Sequence, residues 1–200
     1  MPIRQARLMV LVACALPLAA LAWLLIHARV EQVQAERCMA QVTALSIGRS
    51  TFEEAKRISD KFGGVDGSPA GNACSPKLCD LVIAFRNLAL TRLGLARPAG
   101  VIIYISISEG VVESVGIRYT SPGHPVYLAG EEVARTGVQK VRVHVWNDIN
   151  GNPNQVAVRL TTEAPEDLRA RVFAIDLSCL GRPGPCSAET PRWGELKDLQ

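Results

Sequence analysis

Six cysteines are the residues of this chain whose types and spacing point most directly to chemistry. Four of them form two close pairs within Pro- and Gly-containing segments, Cys74 with Cys79 and Cys179 with Cys186. In an oxidising compartment such pairs form disulfides by default, and each short loop would contribute about 2 kcal/mol on the chain-entropy model. Local pairing is therefore the expectation, although four cysteines also permit two crossed arrangements.

Metal and redox chemistry fit these four cysteines less well than disulfides do. Four residues separate the first pair and six separate the second, whereas a structural zinc site uses short spacings in both halves. A thioredoxin-type site requires two intervening residues. Cys38 is the odd cysteine, and it forms an intermolecular disulfide, remains a partly buried free thiol, or is lost with a cleaved signal. We favour the free thiol, since cysteine is commonly buried.

The histidines do not form a recognisable metal or catalytic motif. His27, His124 and His144 are far apart in sequence, and none has a ligand-type neighbour at helical or strand spacing. We therefore predict no catalytic residue, no metal ligand and no cofactor. The alternative is an exported enzyme with a dispersed site, for which His124, His144 and Asp176 are the candidate participants.

Residues 148–152 imitate the beginning of a calcium-binding loop. However, Pro153 stands where that loop needs glycine, and Arg159 stands where it needs the closing glutamate. This segment is therefore interpreted as a hairpin turn.

The compartment that these side chains occupy depends on residues 8–26, a run of nineteen residues without a charge. At about 1.5 Å per residue a helix of this length spans about 28 Å, close to the thickness of the bilayer hydrocarbon. Residues 1–7 carry Arg4 and Arg7, which favours a cytoplasmic N-terminus, and Trp23 stands near the opposite end. We expect a single-pass anchor in the inner membrane with the rest of the chain in the periplasm.

Two other fates of this segment also export the chain. Cleavage as a signal peptide could follow Ala22 or Ala35, although the apolar run is longer than the about 7–15 residues of a signal core. Lipidation at Cys14 would follow an acceptable lipobox, but few apolar residues precede Cys14 and many follow it.

The exported part is divided into residues 27–45, a juxtamembrane helix, residues 46–180, one domain, and residues 181–200, a tail. Without the two N-terminal arginines the formal charge of +3 becomes nearly neutral, which argues against nucleic-acid binding. The helix at 27–45 docks on the domain or, in a sharper hypothesis, forms a weak homodimer, although no strict heptad is sustained.

Helix and strand patterns within residues 46–180 predict an α+β fold. A Ser/Thr-x-x-Glu capping box, with Ser50 and Glu53 or with Thr51 and Glu54, starts a helix that ends at Gly63. Alternating apolar residues then predict two hairpins and a further strand, at 80–86, 101–108, 111–119, 141–145 and 156–160. We therefore predict a transmembrane helix followed by an amphipathic helix packed on an antiparallel sheet of about five or more strands.

Residues 46–64, SIGRSTFEEAKRISDKFGG, resemble the opening of small outer-membrane-assembly lipoproteins of the SmpA/OmlA type. Those domains begin with a glycine-containing segment, a capped helix and a terminal glycine, and continue into an antiparallel sheet like that of β-lactamase-inhibitor proteins. The resemblance implies an assembly or interaction module and carries over no functional residue. We therefore expect a non-catalytic domain that binds a protein or envelope component through the face or edge of its sheet, with a secreted inhibitor-like protein as a further alternative.

Overall fold

A computed structural model describes residues 3–67, 74–121, 141–146, 154–161 and 173–184. The helices are α1 (Ile3–Thr43), α2 (Phe52–Lys61), α3 (Leu88–Arg92) and α4 (Ser178–Gly181). The strands are β1 (Val65–Gly67), β2 (Leu78–Arg86), β3 (Gly100–Ser108), β4 (Val111–Ser121), β5 (Val141–Trp146) and β6 (Asn154–Thr161).

α1 is one continuous helix with two environments. In its apolar half the described side chains, from Ala15 to Ile26, are mostly exposed: Leu16, Trp23 and Ile26 are all about two-thirds exposed. From Ala28 onward one face of the same helix is buried. The part Ala15–Thr43 is long and apolar enough to cross a membrane, a property shared by anchors, signal sequences and some buried helices.

α2 begins at the second of the two predicted capping boxes, Thr51 with Glu54, and ends at Lys61, two residues before Gly63. The Thr51 hydroxyl accepts from the amide of Glu54 at 3.3 Å, and the Glu54 carboxylate accepts from the amide of Thr51 at 3.0 Å. Beyond its C-terminus Gly63 has φ +68°, a left-handed conformation that favours glycine. Ala55 and Ser59 are the buried residues of this helix, so its inner face packs on the sheet.

The strands form one antiparallel sheet in the order β1-β2-β3-β4-β6-β5. Glu109 and Gly110 both have positive φ, as a tight two-residue hairpin between β3 and β4 requires. An irregularity after Ser106 places Ser114 opposite Ser106 but Val112 opposite Ile107, so Glu113 is the extra residue of a β-bulge. This bulge keeps Val112 in the core while Glu113 is exposed.

The core lies between one face of the sheet and the helices. Alternate residues of β2, β3 and β4 are fully buried there, including Leu81, Ile83, Ile103, Ile105 and Ile117. Cys38, Met39 and Val42 of α1 and Leu180 of α4 belong to the same cluster. The predicted α+β class, with a helix on an antiparallel sheet of five or more strands, is confirmed. Within the predicted helix at 27–45, α1 is helical to Thr43 and its inner face is part of the domain core.

α1 runs along the strands, and this defines two ends of the sheet. At one end Gly181 of α4 lies against Ala28 and Gln32, where α1 first becomes buried. At the other end, just after α1, the amide of Gly48 donates to the carbonyl of Val112 at 2.7 Å beside the β3–β4 turn. We refer to these as the anchor end and the hairpin end.

Candidate binding surface

The structure confirms one of the predicted disulfides. Cys74 and Cys79 are bonded, with their Cα atoms 4.8 Å apart, and the bridge closes the start of β2. Cys179 in α4 is also disulfide-bonded, while Cys186, its expected partner, lies outside the described residues. Because a disulfide sulfur carries no proton, the hydroxyl of Tyr119 is the donor in its 3.3 Å contact with Cys179 Sγ.

Cys38 is a free thiol that is completely buried between α1 and the sheet. Burial raises the pKa of this thiol to about 12, and the positive charge of Lys61 opposes that shift in part. A thiol so placed is neutral at ordinary pH and behaves as a small apolar side chain. An intermolecular bridge through Cys38 would require α1 to separate from the sheet.

The structure describes three of the residues singled out above, His27, His144 and Asp176, of which the last two were proposed as participants in a dispersed active site. His27 is exposed beside Trp23, with ring centroids 5.5 Å apart. The exposed carboxylate of Asp176 accepts from the amide and hydroxyl of Ser178 at 2.8 and 3.0 Å, so it stabilises the start of α4. His144 stands in β5 opposite Ala157, and His124 lies outside the described residues. The described residues contain no group of three His, Cys, Asp or Glu side chains that could hold a metal ion.

The face of the sheet opposite the helices, which we call the outer face, has a different chemistry from the core. Most of its residues in the described strands are half-buried or exposed, and they combine aliphatic, aromatic, acidic and basic side chains: Asp80, Val82, Ala84, Ile102, Tyr104, Ser106, Arg118 and Arg159. Pairing of β3 with β4 places Tyr104 opposite Gly116 and Ile102 opposite Arg118. Because glycine has no side chain, β4 places no side chain directly opposite the tyrosine ring.

Arg118 is the central charged residue of the outer face. Its guanidinium carbon lies 5.4 Å from the centroid of the Tyr104 ring, within the range of a cation–π interaction. Its Nε atom is buried and has no hydrogen-bond partner among the described residues. A ligand oxygen that reached this atom would remove the cost of an unsatisfied buried donor.

Arg159 extends the basic character of the same face. It lies opposite Gly116 in the β4–β6 pair, diagonal to Arg118, and its Nε donates to Ser114 Oγ at 2.8 Å. In β5, Arg142 occupies the register position opposite Arg159. Two arginines fixed by a tyrosine ring and a serine hydroxyl can bind a carboxylate or phosphate through their remaining N–H groups.

Sequence reasoning identified the strands of the outer face but not its arginines. Arg118 and Arg159 are forty-one residues apart, and only the β4–β6 register brings them together. The available signal was an arginine at an outward position of each of the two strands.

Comparison with known proteins gives little further guidance. No family model matches the chain, and no solved structure matches it significantly. A curated relative, a probable cytosol aminopeptidase of Leifsonia xyli subsp. xyli, is 30% identical over 130 residues. The match covers 62% of this chain but only a quarter of that protein, so it does not establish a family.

Proposed function

We propose that this protein is a membrane-anchored, extracytoplasmic, non-catalytic binding or assembly domain. The observation that carries the proposal is the division of α1 into an exposed apolar half and a half that is part of the domain core. An exposed apolar helix is costly in water and favourable in a bilayer. The sheet is therefore attached to the membrane by a rigid element and not by a flexible linker.

The packing of α1 favours an uncleaved anchor over cleavage after Ala35. Ala28, Gln32 and Ala35 are buried, and the Gln32 side chain donates to Glu36 at 2.6 Å. Cleavage after Ala35 would remove this turn of the core and expose the surface of α4 that packs against it. Cleavage after Ala22 would leave the buried half intact and is the alternative, with lipidation at Cys14 as a weaker one.

The disulfide supports the proposed side of the membrane. Cys74–Cys79 is local, and such bridges persist in oxidising compartments and are rare in the cytosol. Together with the basic N-terminal residues, it supports a cytoplasmic start and a periplasmic domain.

The outer face is the surface that we assign to the partner, which we expect to be a protein or envelope component that presents acidic groups. Arg118 and Arg159 supply fixed positive charge, and Tyr104 supplies an aromatic surface of the kind enriched at interfaces. The tyrosine and serine contacts hold the arginines in place, so less side-chain entropy is lost on binding.

Placement is tested by thiol trapping and by intact mass in the native host. We expect Cys74 and Cys79 to be blocked under denaturing, non-reducing conditions, and the mature mass to include residues 8–26. Free thiols at both positions would contradict export. A mature chain that begins at Trp23 would replace the anchor by a cleaved signal.

Binding is tested by photo-crosslinking in cells from position 106, which lies on the outer face opposite Ser114, the acceptor of the Arg159 hydrogen bond. We expect adducts that are lost when Arg118→Glu and Arg159→Glu are combined. A crosslinker at Arg57, which is exposed on the opposite layer, is the matched control. Equal adducts from positions 57 and 106, or adducts unaffected by the charge reversals, would refute the outer face as the binding surface.

An exported enzyme is the second candidate, and the similarity to the aminopeptidase supplies its reaction class. The purified full chain would be assayed with aminoacyl chromogenic substrates. Turnover that is abolished by His144→Ala would favour this candidate over a binding domain.

A further inference from the structure

We propose that the anchor end of the domain is a second membrane contact, which binds the headgroups of anionic phospholipids. This inference rests on the proposed anchor, because α1 brings this end to the bilayer. The sequence indicated one membrane contact, the helix at 8–26. The second contact is a surface formed by α3, the segment that follows α3, and α4.

The distance from the apolar half of α1 to the folded domain is very short. Ile26 is exposed and Ala28 is buried, so two helical residues, or about 3 Å along the axis, separate them. Gly181 of α4 packs directly against this turn, since a Cβ atom there would lie 3.0 Å from Gln32 Cβ and 3.2 Å from the carbonyl oxygen of Ala28. α4 therefore lies at the level at which α1 leaves the hydrocarbon.

Hydrogen bonds hold the α3 segment at the same level. Asn87, which is buried at the start of α3, donates through Nδ2 to the carbonyl of Arg97 at 2.8 Å and accepts from the amide of Ala99 at 2.8 Å. The amide of Gly184 donates to the carbonyl of Leu95 at 2.9 Å, which joins the segment to the residues after α4. The loop at 93–99 is therefore a fixed part of the anchor end.

The charge of this end is predominantly basic. Arg86, Arg92, Arg97 and Arg182 are all exposed. Within residues 84–100 and 173–184 the sequence contains one acidic residue, Asp176, whose carboxylate already accepts from Ser178. Arg29 and Glu31 of α1 add one charge of each sign.

The hairpin end provides the contrast. Glu53, Glu109 and Glu113 are exposed there beside Arg49 and Lys77, so the described residues of that end are mixed in sign. The basic excess is therefore specific to the end from which the apolar half of α1 projects.

Two leucines complete the surface. Leu88 and Leu93, at the two ends of α3, are 51% and 49% exposed. Leucines and arginines on one short helix and its flanks suit the membrane–water interface. There the apolar side chains enter the region between the headgroups and the acyl chains, and the guanidinium groups bind lipid phosphates. An acidic protein would explain the arginines but would have to compete with the bilayer for this position.

The test uses the full chain in nanodiscs with a nitroxide at position 93. Leu93→Cys is made in a Cys14→Ala background, and the buried Cys38 does not require substitution. The matched control is Glu53→Cys, an exposed position near the hairpin end. Collision with a water-soluble nickel complex is measured in phosphatidylcholine discs with and without phosphatidylglycerol.

We expect phosphatidylglycerol to lower the nickel accessibility of position 93 several-fold while position 53 is unchanged. Combining Arg92→Gln with Arg97→Gln should reverse this effect, because each arginine near an anionic surface contributes a factor of about five. The unfolding midpoint of the variant confirms that it is folded.

Three results would overturn the inference. Equal accessibility at positions 93 and 53 in anionic discs would leave the anchor intact but exclude the second contact. Shielding at position 93 that depends on neither phosphatidylglycerol nor the arginines would exclude headgroup recognition. A chain that urea removes from the discs would refute both the anchor and the contact.

Discussion

Val42 and Val30 provide a matched pair that tests whether the second half of α1 is part of the domain core. They lie in the same helix, but Val42 is 1% exposed and Val30 is 47% exposed. Substitution by alanine removes two methyl groups at each position. Because alanine is the better helix former, each substitution also stabilises the helix by the same amount, about 0.5 kcal/mol. Only burial therefore distinguishes Val42→Ala from Val30→Ala.

The expected loss at Val42 follows from the transfer of two methyl groups, about 1.6 kcal/mol, to which incomplete collapse of the cavity adds. After the gain in propensity, the free energy of unfolding should fall by about 2 kcal/mol for Val42→Ala and change by less than about 0.5 kcal/mol for Val30→Ala. With a urea dependence of about 2 kcal/mol/M, the two midpoints should differ by about 1 M.

The assay is urea unfolding of the full chain in detergent micelles, followed by the circular dichroism of the sheet. If both variants unfold with the wild-type midpoint, α1 beyond Ala28 is a solvated stalk and the rigid attachment proposed above is wrong. If both are destabilised equally, the difference in burial between the two positions does not govern the stability of the domain.

Three further substitutions have defined outcomes. Ser59→Ala should raise the unfolding temperature, with a gain of about 1–2 kcal/mol, because Ser59 Oγ is buried without a hydrogen-bond partner among the described residues; a lower unfolding temperature would contradict this. Replacing Cys74 and Cys79 together by serine should lower the free energy of unfolding by about 2 kcal/mol in urea titrations, and an unchanged midpoint would refute it. Burial raises the pKa of Cys38 from 9.0 to about 12, so the thiol ionises at lower pH in the unfolded chain than in the folded one. The contribution of Cys38 to the free energy of unfolding should therefore be fully present below about pH 9 and be lost between pH 9 and 12. Cys38→Ala should remove this contribution to the alkaline loss, as urea titrations across that range would show.

Local features of the fold were predictable because neighbouring residues determine them. The Thr51–Glu54 capping box and the hairpin between the strands predicted at 101–108 and 111–119 each depend on a few neighbouring residues and formed as expected. The first disulfide belongs to the same class, since five positions separate Cys74 from Cys79 and loop closure is easy.

Features that depend on register or on close packing were not predictable. The buried face of α1 includes Ala28, Gln32, Ala35 and Cys38, which are small or polar and do not form a marked apolar stripe. Ala28 and Gln32 lie against α4, which approaches closely through Gly181, a contact that joins residues about 150 positions apart. The basic part of the outer face likewise depends on the long-range β4–β6 pairing.

The direction of α1 links the two proposed surfaces. Because α1 runs along the strands from the anchor end to the hairpin end, an anchored domain would hold its strands directed away from the bilayer. The outer face would then be roughly perpendicular to the membrane surface, and Arg118 would be accessible to a partner that approaches parallel to the membrane. The lipid contact at the anchor end would restrict tilting about the single helix, so the orientation of the outer face would be fixed before a partner binds. That preorganisation lowers the entropic cost of association and predicts that loss of the lipid contact weakens partner binding without altering the outer face.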